Sequence, residues 1–96
     1  MVEALKKFDP AEHLETDQDY ANYLEDSFQS GDPVVMLAAL YDVSRSRNIS
    51  ALAREADLTR EGFLKALRGN PKMETITKIA DVLGYRLTIT PKEAVA

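Results

Sequence analysis

Ser50-Ala-Leu-Ala-Arg-Glu-Ala-Asp-Leu-Thr-Arg-Glu-Gly-Phe-Leu-Lys-Ala-Leu67 is the run that decides the fold of this chain. Ile49, Leu52, Ala53 and Ala56 recur at i, i+3, i+4 and i+7, the spacing of one helical face, and Ser50 is the expected N-cap. Asp57-Leu58 breaks that helix. Thr59 then caps a shorter one that turns Phe63 and Leu67 inward. Ala53 is small where two helices must approach closely, and Leu58 can fill the angle between them. Two short capped helices a few residues apart are the pattern of a helix-turn-helix, whose second helix lies in the DNA major groove with its N-terminal residues on base edges. Arg60, Glu61, Lys65 and Arg68 lie away from the Phe63/Leu67 stripe, and Leu64 sits on the edge between the faces. Helix pairs of this spacing also occur in all-α domains that never touch DNA. Spacing alone establishes only the pair.

Outward from this run, the sequence predicts three more helices. Thr16 offers an N-cap, with Asp17 and Asp19 suited to the positive end of a helix. Tyr20, Tyr23, Leu24 and Phe28 follow at helical spacing, as a core stripe rather than a stacking platform, and Ser30-Gly31 ends the segment. Asp32-Pro33 restarts it, with Asp as cap and Pro at the first helical position, where a missing N–H matters least. Val34 to Tyr41 is apolar almost all round, which predicts burial on several sides and the centre of the core. Gly69-Asn70-Pro71 reads as a loop. Ile76, Ile79, Ala80 and Leu83 mark the last helix, and Gly84 is placed for a left-handed C-cap. Tyr85, Leu87 and Ile89 then alternate with Arg86, Thr88 and Thr90, the period of a strand closed by Pro91. One strand cannot satisfy its own edges, so its partner must come from the N-terminal segment or from a second copy. The expected fold is all-α, five helices with a short C-terminal β-strand. Residues 1–16 form an irregular segment, 17–90 the helical domain with its helix-turn-helix at 49–67, and 91–96 a tail.

Charge sharpens this reading. The 96 residues carry a net −4, which by itself argues against nucleic acid. Residues 1–43, however, set Lys6 and Lys7 against ten acids, whereas residues 44–72 carry seven bases against Glu55, Asp57 and Glu61. An acidic part and a basic part imply different partners, or else one solvated acidic surface beside a mildly basic one. Cysteine is absent, which removes disulfides, thiolate metal sites and a cysteine nucleophile, and fits a reducing cytoplasm. His13, the single histidine, lies in a polar stretch and is read as incidental. With one His and no Gly-rich phosphate loop, neither enzymatic activity, a metal nor a cofactor is expected. The N-terminus has no apolar run behind its lysines, and no stretch approaches the roughly 18 apolar residues of a membrane span.

The run Ile49–Gly84 resembles the phage-repressor (Xre) helix-turn-helix, a lambda-repressor-like domain. More narrowly, Thr59 to Leu67, Asn70-Pro71, Thr75-Ile76 and Leu83-Gly84-Tyr85-Arg86-Leu87 are similar to the antidote proteins of addiction modules, of the HigA-like kind. The Asp32-Pro33 helix, ending in a basic stretch before Ile49, fits the same likeness, which spans about residues 15–90. It implies an antitoxin that neutralises a small basic toxin of the RelE (HigB-like) type and represses its own operon, usually as a homodimer. It also implies roles for side chains. Arg60, Glu61 and Lys65 fall where such proteins touch base edges, where Arg suits guanine and Glu can accept from cytosine. Thr59, at a helix N-terminus, suits a phosphate. Arg68 falls near a backbone-contacting position, Arg45, Arg47 and Lys72 could flank it, and Ser50 and Leu64 complete the DNA-facing set. The turn position often held by Gly is Asp57 here. Gly62 inside the second helix costs about 1 kcal/mol against Ala, a loss explained if bulk there would meet the DNA backbone or the facing helix.

Three readings stay open at this stage. The first is an antitoxin and autorepressor, with the acidic first 43 residues covering the toxin and the basic segment binding operator DNA. The second is a stand-alone Xre-type repressor whose acidic half merely solubilises it. The third is an interaction module that has lost DNA binding. Two copies could pair through the C-terminal strand, with the N-terminal segment competing for that role. Arg54 could equally pair with neighbouring acids, and Glu61 could serve only the first turn of its helix.

Overall fold

A computed structural model describes residues 13–92; the expectations for 1–12 and 93–96 lie outside them. Among the described residues five helices follow one another: α1 (Asp17–Gln29), α2 (Pro33–Ser46), α3 (Ile49–Glu55), α4 (Arg60–Arg68) and α5 (Met73–Leu83). The first four begin at a residue whose side chain caps them. Thr16 accepts the Asp19 amide while the Asp19 carboxylate accepts the Thr16 amide, a reciprocal capping box. Asp32 caps α2, with Pro33 at its first position. Thr59 caps α4 through the Gly62 amide at 2.9 Å.

The cap of α3 is Asn48 and not Ser50. Asn48 is extended (φ −117°, ψ 103°), and its side-chain oxygen accepts the Ala51 amide at 3.0 Å. Ile49 is already helical and buried, so the chain turns two residues ahead of Ser50, which is left exposed.

The two decisive turns share one geometry. After α3, the Leu58 amide donates to Ala53 and the Asp57 amide to Arg54, with Asp57 at φ 62°. After α5, the Tyr85 amide donates to Ala80 and the Gly84 amide to Asp81, with Gly84 at φ 97°. Both are Schellman closures, which need a left-handed residue to satisfy the last helical carbonyls. Gly84 takes that conformation freely. Asp57 takes it against a Cβ penalty that short polar side chains tolerate best.

The core lies where α2, α3, α4 and α5 converge. Phe63, Val43 and Ile79 are fully buried, joined by Leu40, Leu52, Ala53, Leu67 and Leu83. α4 packs on α2, α3 and α5. α1 packs on α2, where Tyr23 donates to Asp42 at 2.6 Å, and Tyr20 meets Ser46, whose hydroxyl reaches the Leu14 carbonyl. The aromatic stripe of α1 is thus half-buried packing against the core, as its spacing predicts. Within α2 itself, the Ser44 hydroxyl is buried and finds no partner among the described residues.

Two expectations are corrected. The start of α2 is not the centre of the core: Val34 is 73% exposed and Val35 is also exposed, whereas burial begins at Ala39. Among the described residues no other helix covers Val34 and Val35, so apolar character there marks an exposed surface. The residues Tyr85 to Thr90 form no strand, and no strand occurs among the described residues. Their backbone lacks the neighbouring strand that pairing requires.

Two measurements follow from these caps and turns. Asp57→Gly should stabilise the fold by about 1 kcal/mol in chemical denaturation, because glycine adopts the left-handed turn without the Cβ penalty. The second concerns Asp19, whose carboxyl is held below the ordinary aspartate range by the Glu15 and Thr16 amides that donate to it. Being more acidic folded than unfolded, it stabilises fully above that range and loses its contribution as pH falls through the lowered folded value. An acid titration of helicity should therefore lose part of its response in Asp19→Asn.

Candidate nucleic-acid interface

α4 is a nine-residue helix anchored by two side chains, Phe63 and Leu67, spaced i, i+4. Those anchors fix its rotation about its own axis, because both are buried against the rest of the core. Glu61, Leu64, Lys65 and Arg68 at i, i+3, i+4 and i+7 then fall on one stripe of the opposite side. Glu61, Lys65 and Arg68 are exposed, and Leu64 is half-buried on the edge. Arg60 stands at the first helical position, exposed beside Thr59. The side chains of Arg60, Glu61 and Lys65 engage no partner among the described residues, so their hydrogen-bonding capacity faces outward unspent.

Thr59 carries one constraint that bears on Gly62. A Cβ at Gly62 would stand 3.0 Å from the Thr59 hydroxyl oxygen and would meet nothing on a facing helix. Bulk at this position would therefore press on the cap of α4 itself. A side chain there trades helix propensity against a cap, two effects of about 1 kcal/mol each.

The flanking bases divide. Arg47 donates to the Leu83 carbonyl at 3.0 Å, so its guanidinium closes the C-terminus of α5, the negative end of that helix. Arg45 pairs with Asp42 at 3.5 Å and lies 5.3 Å from the Tyr41 ring centroid. Arg68 approaches the same ring at 5.6 Å and reaches the Tyr41 hydroxyl at 3.5 Å. Tyr41 thus gathers two guanidiniums from two helices. The sequence offered one sign of it, the i, i+4 spacing of Tyr41 and Arg45; the approach of Arg68 depends on the packing of α4 against α2. Lys72 is exposed at the start of α5 and makes no side-chain cap bond. Ser50 is exposed on the first turn of α3, and Arg54 is exposed on its last, with no ion pair among the described residues.

Beside Tyr41 an open groove of about 300 Å³ runs between α2 and α4, floored by Val34, Leu37, Ala38 and Leu67 and ending at Arg68 and Gly69. Among the described residues there is no cluster of acids and histidine able to hold a metal ion. No helix among them is long and apolar enough to cross a membrane.

Residues 4–91 match the family model described as "Probable addiction module antidote protein". The chain belongs to that antidote family. It is also 40% identical over 91 residues to an uncharacterized protein of Haemophilus influenzae (strain ATCC 51907 / DSM 11121 / KW20 / Rd), covering 93% of this chain and 94% of that one. No solved structure matches it significantly. Membership in the antidote family implies a toxin as partner. It leaves the work of each base on and around α4 to be argued from geometry.

Geometry separates two classes of arginine, and a denaturation series tests the division. Arg47→Ala should destabilise the fold by about 0.5–1 kcal/mol, since it removes a cation and donor from a helix C-terminus. Arg60→Ala should leave stability unchanged or slightly raised, because it removes a cation from the positive end of α4. Equal losses in both would contradict the assignment.

Proposed function

We propose that this antidote protein both neutralises a small basic toxin of the RelE type and represses its own operon by binding operator DNA with α4. In this reading α3 and α4 are a helix-turn-helix of the phage-repressor kind. Arg60, Glu61 and Lys65 read base edges in the major groove, Arg60 as a bidentate partner of guanine and Glu61 as an acceptor for cytosine. Thr59 and Ser50, on the first turns of their helices, meet phosphates together with Lys72 and Arg68, and Leu64 makes apolar contact at the groove wall. Arg47 is excused from that set by its bond to α5. The protein works by binding and not by catalysis, in the cytoplasm, as a homodimer whose two α4 helices meet successive major grooves about 34–36 Å apart.

One observation carries the DNA half of the proposal: α4 is rotationally fixed by Phe63 and Leu67, and Arg60, Glu61 and Lys65 then face outward with no partner among the described residues. The toxin half draws on the opposite charge of residues 1–43. On α1 the acids Asp17, Glu25 and Asp26 are exposed, and Val34 and Val35 add an uncovered apolar patch close after it in the chain. An acidic rim beside an apolar patch suits a basic partner, with long-range attraction speeding the encounter and apolar burial holding it.

Co-expression with the adjacent open reading frame tests both halves. A short, Lys- and Arg-rich product should co-purify with this chain, and Val34→Asp should weaken that complex. On promoter DNA, affinity should fall steeply with salt as counterions are released. Arg60→Ala should cost about 1–3 kcal/mol and relax sequence preference, whereas Arg68→Ala should weaken binding uniformly and lower the salt slope by about one. A protein that shifts no promoter fragment at any salt lacks the DNA function, and one that holds no basic partner lacks the other.

A further inference from the structure

The segment from Tyr85 to Thr90 leaves the globule with the chemistry of a strand and no strand to join. Past the Tyr85 amide, which closes α5, no hydrogen bond ties its backbone to any described residue. Tyr85 and Leu87 are half-buried, and Arg86 and Thr88 point outward, so the chain already alternates as a strand does. Ile89 continues the inward stripe but stands 96% exposed among the described residues. Thr88, Ile89 and Thr90 are three consecutive β-branched residues, the composition least suited to loose coil. Beside them lies an open recess of about 520 Å³ lined by Thr77, Asp81, Gly84 and residues 85–87.

We infer that this segment is the subunit interface: two copies pair antiparallel through Tyr85–Thr90 about a two-fold axis at Leu87, forming a strand only on dimerisation. The inference rests on the two-copy reading above and supplies its missing surface. The register follows from side chains. With Leu87 opposite Leu87 of the second copy, Ile89 stands opposite Tyr85, an aromatic–β-branched pair made twice. Arg86 then faces Thr88. A slip that puts the axis at Arg86 sets two like charges directly opposite each other, which is destabilising. The axis at Leu87 also seats each bare Ile89 against the other copy's recess beside α5.

A two-stranded ribbon alone is marginal in water, but packing against a helix makes it stable. Here Tyr85 packs against the core, and Leu87 is half-buried at the recess that Thr77 and Asp81 of α5 also line. The sequence is therefore complementary to itself, a property an isologous interface requires and a heterologous partner would not.

The chain has no cysteine, so single-cysteine variants of the full chain can locate the axis. Arg86→Cys, Leu87→Cys, Thr88→Cys and Ile89→Cys are each oxidised at low concentration and run on a non-reducing gel. Only directly opposed residues come within the roughly 4.4–6.8 Å Cα separation that a disulfide accepts. Leu87→Cys should give a covalent dimer and the other three should not. Ile89→Asp should leave the helical spectrum of the monomer intact, since the side chain touches nothing there, and raise the dimer dissociation constant by roughly tenfold or more.

Sedimentation showing a monomer at every concentration overturns the inference, as does a dimer that cross-links at none of the four positions, the result expected if the N-terminal segment or a toxin strand occupies this edge. A cross-link at Thr88 in place of Leu87 overturns the register. Promoter binding is measured on the same samples. A cross-linked dimer that ignores DNA refutes the repressor reading and spares the interface; a promoter-binding protein with no cross-link does the reverse.

Discussion

Phe63 and Leu67 are the fulcrum of this structure. They are the two buried side chains of a helix only nine residues long, and they dock it against α2, α3 and α5 at once. A short helix has little intrinsic stability in water, so α4 exists because those two residues are buried, and their burial leaves no freedom in how it is turned. The direction its other side chains take is a consequence. The polar side chains that remain are held outward on a rigid element, which is how a recognition surface gains precision. The Schellman turn at Asp57 and the Thr59 cap serve the same end, since they set where α4 begins and the direction in which it leaves α3.

Charge is laid over this frame in blocks. The acids concentrate ahead of residue 44 and the bases between 44 and 72, yet the structure does not spend all the bases in one way. Arg47 is consumed by the α5 carboxyl end, and Arg45 and Arg68 gather at Tyr41. That leaves Arg54 on α3, Arg60 and Lys65 on α4 and Lys72 just beyond it as basic side chains with no tie in the described fold. A count of positive residues overstates the cations left without a partner, although Arg68 stays exposed beside Tyr41.

Much of the fold was legible because its signals are local. Thr16, Asp32, Thr59, Asp57 and Gly84 each act within a turn of themselves, and their caps and left-handed turns follow from residue type alone. The inward set Phe63, Leu67, Ile79 and Leu83 was legible from periodicity. What failed was non-local. The apolar run at Val34 gave no sign that its first turn would stand exposed among the described residues, because hydrophobicity cannot distinguish a core from an exposed face. Ser50 looked like a cap by residue type, although the inward stripe already began at Ile49 ahead of it, and Asn48 is the cap. The Tyr85–Thr90 alternation was read as a strand, but a strand is a relation between two segments and no second one is present among the described residues. The outward set on α4 was legible as a stripe, while the diversion of Arg47 and Arg68 depended on where α5 and α2 come to rest.

The most direct test of the central claim is a backbone amide NMR titration with a duplex carrying the protein's own promoter. The account predicts shifts concentrated from Thr59 to Arg68 and at Ser50 and Lys72, with α1 and the first turn of α2 silent because they face a different partner. Shifts centred on the acidic α1, or none at a salt concentration low enough for electrostatic binding, would contradict it.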